Sequence, residues 1–201
     1  INLRGGARSW RDTGIPFIFR VGPDEFLFGS LKDRLSEPVL EKGWIPVVQI
    51  CYKHRTPVKS EGDVPLTQKK QDSETETYRV ETFAGTDPGI IKKGVVFVRF
   101  DLKRGNNGYI AVQLGNCSEF RFVSGNLVDP YGRILAMFDD QWTLDNKLMK
   151  ARLKPGTAAT LAIPSLPLEM EECFKMSSNK YSEEKEKCID TWKNIVGQGM
   201  K

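Results

Sequence analysis

Up to Pro164 the chain is built from short apolar runs that alternate with polar positions at a period of two, the signature of half-buried strands. Residues 15–21 (IPFIFRV) are rich in β-formers, and Val21-Gly-Pro-Asp24 turns them into a second short strand at 26–28. Residues 44–54 (WIPVVQICYKH) predict a long strand, with Ile45, Val47, Gln49 and Cys51 on one side and Val48, Ile50 and Tyr52 on the other. Residues 57–75 are polar and without period, an excursion between two strands that would otherwise form a hairpin. The sheet resumes at 78–84, and Thr86-Asp-Pro-Gly89 predicts a turn. The clearest strand, 94–103, carries Val96, Val98, Phe100 and Leu102 on an apolar face, with Val95, Phe97, Arg99 and Asp101 opposite. Further runs at 109–114, 120–123, 133–138, 147–153 and 158–163 bring the count to about ten strands with no crossover helices between them. That pattern predicts a mainly β chain folded as an antiparallel β-sandwich, and excludes a parallel α/β sheet.

At Pro164-Ser-Leu-Pro167 the pattern changes, so 1–164 reads as a sandwich domain and 165–201 as a helical linker or appendage. Ser182 followed by Glu183 and Glu184 resembles a helix start. Cys188, Ile189, Trp192, Ile195 and Val196 then fall on one apolar stripe, ended by Gly197 or Gly199. The stripe needs a surface: the sandwich, or a partner that docks on Ile189, Trp192 and Val196.

Composition changes this picture little. A chain of 201 residues with 39% hydrophobic and 28% charged residues is long enough to hold its own core, and wholesale disorder is excluded. No apolar run reaches the roughly 18–20 residues of a membrane span. The net charge of +4 comes from 30 basic residues interleaved with 26 acidic ones, with no basic patch for nucleic acid. The four cysteines (Cys51, Cys117, Cys173, Cys188) form no CxxC pair, and with one histidine no zinc site or other cofactor is expected. They read as free thiols, with a Cys173–Cys188 bridge open to an exported chain. The start at Ile1, without an initiator Met or signal pattern, and the stop just after a helix suggest a piece of something longer.

Candidate chemistry is sparse. His54 ends a strand before a polar loop and reads as a surface histidine, not the base of a Ser-His-Asp set. The adjacent acids Asp139 and Asp140 lie beside Trp142, and carboxylates with an aromatic platform are what sugar-processing sites use. Neighbours in a strand point to opposite faces, so a strand-end turn explains the pair more simply, and no catalytic residue is assigned. Trp142, Asp140 and Tyr131 are the candidate carbohydrate contacts, with Trp10 and Trp44 as further rings that could be exposed. Asn116-Cys-Ser118 matches a glycosylation acceptor.

Two stretches together resemble a family. Tyr78-x-x-Glu81-x-Phe83-Ala84, followed by Gly94-Val-Val-Phe-Val-Arg-Phe100-x-Leu102 and preceded by the strand from Gly43 to Tyr52, is similar to the N-terminal β-super-sandwich of bacterial six-hairpin glycosidase-like proteins. Thr191-Trp192 through Gly199 resembles the helix that links that galactose-mutarotase-like sandwich to an (α/α)6 barrel. The resemblance implies a non-catalytic domain of a carbohydrate-active, glycoside hydrolase-like protein. Its sugar site and catalytic carboxylates would be completed by a barrel that this sequence lacks. The rival expectations are a stand-alone carbohydrate-binding module and a structural jelly-roll assembly subunit. An extracellular or periplasmic setting is favoured over the cytoplasm.

Overall fold

The computed structural model describes residues 17–22, 26–27, 32–54, 76–114 and 119–199. Trp10, Cys117, the 116–118 acceptor, Met200 and the excursion at 57–75 lie outside them. Among the described residues, thirteen strands and two α-helices follow in chain order: β1 (Phe17–Val21), β2 (Phe26–Leu27), β3 (Val39–Glu41), β4 (Ile45–His54), β5 (Glu76–Ala84), α1 (Pro88–Ile91), β6 (Val96–Arg104), β7 (Gly108–Leu114), β8 (Arg121–Val123), β9 (Asn126–Val128), β10 (Ile134–Phe138), β11 (Thr143–Asp145), β12 (Leu148–Leu153), β13 (Ala158–Ile163) and α2 (Ser178–Gly199). The strands form two antiparallel sheets, one in the order β11-β12-β7-β1-β2 and one in the order β3-β4-β5-β6-β13-β10-β9-β8. The chain is an antiparallel β-sandwich followed by a helix, as the alternation predicts.

The period of two on β6 divides the molecule. Val98, Phe100 and Leu102 are buried between the sheets, and Val96 packs at the edge of the same core. Phe100 meets Phe19 and Trp142 edge-on, with ring centroids 5.3 and 6.0 Å apart. The opposite face of the larger sheet supports a second core of Ile45, Val47, Phe83, Val95 and Phe97. Helix α2 covers this second core with Tyr181 and Cys188, assisted by Ile189 and Trp192. Both faces of β4–β6 are therefore apolar at this end, although only the inner face shows an unbroken apolar row in the sequence.

The helix starts a turn earlier than Ser182. Ser177 Oγ accepts from Lys180 N at 3.1 Å as a cap does, whereas Ser182 Oγ donates back to Ser178 O at 3.0 Å. The added turn brings Tyr181, 1% exposed, onto the sheet. Ile195 stays 52% exposed and Val196 half-buried, so the stripe docks firmly at its start and loosely at its end. Residues 165–177 tie to the sheet through Leu168, which exchanges backbone bonds of 2.9 and 2.7 Å with Ile134.

The predicted turn at 86–89 is instead the start of α1, with Asp87 Oδ1 capping Gly89 N at 3.0 Å and Pro88 in the first turn, where its missing N–H costs nothing. His54 is a second correction. It is fully buried rather than on the surface, because it follows Tyr52 on the inward side of β4. Gly22, at φ +84°, makes room for it: a Cβ there would sit 2.3 Å from the imidazole. Glu76, its cross-strand partner, places Oε2 4.0 Å from Nδ1 and accepts from the Tyr78 hydroxyl at 2.6 Å. No described helix is long and apolar enough to cross a membrane.

Candidate functional site

The turn between β9 and β10 is fixed from within. Asp129, 4% exposed, accepts through Oδ1 from the backbone N–H groups of Tyr131 and Arg133, both at 2.9 Å. Its Oδ2 accepts from Arg133 Nε at 2.9 Å and pairs with Nη2 at 2.7 Å. Burial works against the carboxylate charge, but the bonds from Arg133 and Tyr131 prevail and hold Asp129 below its ordinary range. Gly132, at φ +88°, supplies the left-handed residue that the turn requires. Fixed this way, the Tyr131 ring stands 83% exposed with the Arg133 guanidinium 5.3 Å from its centroid.

Beside this turn opens a hollow of about 370 Å³ lined by Glu119, Phe120, Arg121, Pro130 and Lys147, at the small end of the roughly 300–1,000 Å³ range of ligand pockets. Lys147 reaches it from an unusual backbone. The hairpin turns at Lys42-Gly43 and Ser124-Gly125 each place glycine second, at φ +80°, whereas Asn146-Lys147 holds lysine there at φ +62°. A side chain in the left-handed region costs about 1–2 kcal/mol, which glycine would avoid.

The other candidates fall apart from Tyr131. Trp142 is 3% exposed, a core ring stacked edge-on against Phe100 and Phe138, with Nε1 donating to Thr160 O at 3.0 Å. It offers no face to a sugar. Asp139, 5% exposed, closes the end of β10: Oδ2 accepts from Thr160 N and Oγ1 at 2.7 and 2.6 Å, and Oδ1 from Gln141 N at 3.0 Å. Burial raises its pKa despite those bonds, and the nearby charge of Asp140 adds to the rise. Asp140 is exposed. The pair is a strand-end turn, and Trp44, 42% exposed, lies in the turn just before β4, in the other half of the large sheet.

An ionic row on the outer face of the large sheet has no counterpart in the sequence reading. Glu81, 2% exposed, accepts from Gln49 Nε2 at 2.8 Å, Lys185 Nζ at 2.9 Å and the Tyr181 hydroxyl at 3.1 Å. Burial, then the Glu81 charge, pushes the Tyr181 phenol far up. One step along the strands, Asp101 binds Arg79 through Nη2 at 2.5 Å and Nε at 3.0 Å, with Arg99 Nε at 3.4 Å. These charges pair with one another across β4, β5 and β6, and Glu81 ties the sheet to α2 through Tyr181 and Lys185. The signal was present as cross-strand neighbours, Gln49 opposite Glu81 and Glu81 opposite Arg99, but only the register reveals it.

Cys51, Cys173 and Cys188 are free thiols, Cys188 beneath the helix with its pKa raised by burial, so the conditional Cys173–Cys188 bridge is not formed. Among the described residues no group of His, Cys, Asp and Glu is placed to hold a metal ion. No family model matches the chain, and no curated protein and no solved structure matches it either.

Proposed function

We propose that this chain is a non-catalytic β-sandwich of a carbohydrate-active protein, and that it meets sugar at the β9–β10 turn. One observation carries the reading: a tyrosine ring held out at 83% exposure by an internally bonded turn, beside an open hollow. Exposed rings on rigid supports stack on the apolar faces of sugars with little loss of side-chain entropy. The involvement of Asp139 in the fold argues against a carboxylate pair for hydrolysis at 139–140. Of Trp142, Asp140 and Tyr131, this proposal retains Tyr131 alone.

A stand-alone binding module is the second reading, favoured by the packing of Ile189 and Trp192 on the chain's own sheet. The first reading has an (α/α)6 barrel engage the exposed end of α2 around Ile195. The test is affinity electrophoresis of the wild type and Tyr131→Ala through gels containing neutral and acidic polysaccharides. Retardation by at least one polysaccharide, lost in Tyr131→Ala, is the expected result. Equal mobility in every gel overturns sugar binding.

A further inference from the structure

We propose that the ligand at the β9–β10 turn is an acidic sugar, a glycan bearing carboxylate groups, recognised through Arg121; this rests on the sugar-binding reading above. The hollow is lined by both apolar and charged side chains. Phe120 and Pro130 provide surface for a pyranose face, and Pro130 directly precedes the exposed Tyr131. Arg121 lines the space together with Lys147 and Glu119, both of which have interactions of their own. The nearby Arg133 is already committed, its guanidinium matched by Asp129 at 2.7 Å. Arg121 is exposed at the start of the edge strand β8 and makes no ion pair among the described residues.

A guanidinium beside an apolar wall suits a planar carboxylate, because two parallel N–H donors match its two oxygens while the ring packs beside them. A neutral sugar would leave that donor pair facing only hydroxyls. Among the described residues, the turns at Lys42-Gly43 and Ser124-Gly125 carry glycine where Asn146-Lys147 carries a cationic side chain at φ +62° on the border of the hollow.

Polygalacturonate and its fully methyl-esterified form separate the two levels of the proposal, since they share their rings and differ in charge. Titration of the full chain should show binding to the free acid at least tenfold tighter than to the ester. Arg121→Gln should weaken the acid tenfold or more while leaving the ester unchanged, and Tyr131→Ala should weaken both. Arg121 is exposed, so its variant folds; matching urea transitions verify this. Equal affinity for acid and ester overturns the acidic-sugar assignment and leaves sugar binding standing. Binding to the acid that survives both substitutions also overturns the assignment, because the charge is then read elsewhere. Polyglutamate binding as tightly as polygalacturonate overturns it as mere polyanion attraction. Binding to neither form overturns it together with the choice of this turn as the site for such sugars, while the gels with other polysaccharides still decide sugar binding itself.

Discussion

The hydroxyl of Tyr181 on α2 donates to the buried carboxylate of Glu81 on β5 at 3.1 Å, joining helix and sheet across 100 residues of chain. Gln49 and Lys185 donate to the other oxygen of that carboxylate, so its charge is neutralised where water does not reach. Tyr181→Phe removes one donor and keeps the ring that stacks edge-on against Phe83 at 5.2 Å. The expected loss is about 1–3 kcal/mol in a urea titration, with faster amide exchange confined to α2. Loss below about 0.5 kcal/mol with unchanged exchange would show that the bond does not hold the helix.

Phe100→Ala empties the centre of the inner core between Phe19 and Trp142. Large-to-small changes of this kind cost about 3–5 kcal/mol, and the same cost is expected here from denaturant midpoints. Phe97→Ala, on the opposite face of the same strand, should destabilise the molecule and release α2 as well, visible as a fall in helical circular dichroism at sub-denaturing urea.

Gly22→Ala meets two obstacles, a left-handed backbone and the imidazole of His54 2.3 Å from the new carbon. Together they should cost at least about 2 kcal/mol. In a His54→Ala background the clash disappears and only the backbone strain remains, so the double-mutant cycle should show a coupling of about 1 kcal/mol or more. Strict additivity would place the imidazole elsewhere.

Asp129→Asn should loosen the Tyr131 turn and cost about 1–3 kcal/mol at pH 7, the range for bonds to a charged acceptor. Because the folded state holds Asp129 below its ordinary range, the wild-type advantage is complete above the unfolded pKa near 3.9 and fades as pH falls through the lower folded value. Urea titrations of both proteins at pH 7 and pH 2.5 should therefore show a gap that narrows in acid. A gap of constant size would assign the effect to shape, not charge.

Long strands were legible because a period of two needs several residues to declare itself. The 96–102 alternation on β6 is realised as the face between the sheets. Strands β3, β9 and β11 have three residues each, too few to show a period, whereas β2 and β8, no longer, stand out by their Phe-rich apolar runs. The polar neighbours of His54 on the loop side point to the surface, whereas its parity with Tyr52 on β4 points it inward. Trp142 could be read as a platform because its true partner, the carbonyl of Thr160, lies on another strand. Tyr131 was legible as an aromatic in a turn, but its support by Asp129 became visible only once the turn was folded.

The large sheet has grease on both sides, and its two covers arrive at different times during synthesis. Strands of the smaller sheet are interleaved in sequence with those of the larger one, so the inner face is closed as the chain lengthens. The outer face waits for α2, which follows every strand. Until the helix emerges, Val47, Phe83 and Phe97 form an open adhesive wall on a nascent chain, a surface that invites chaperones and neighbouring chains. The late helix, and the acid–phenol contact that latches it, therefore close the outer face only after every described strand has been made.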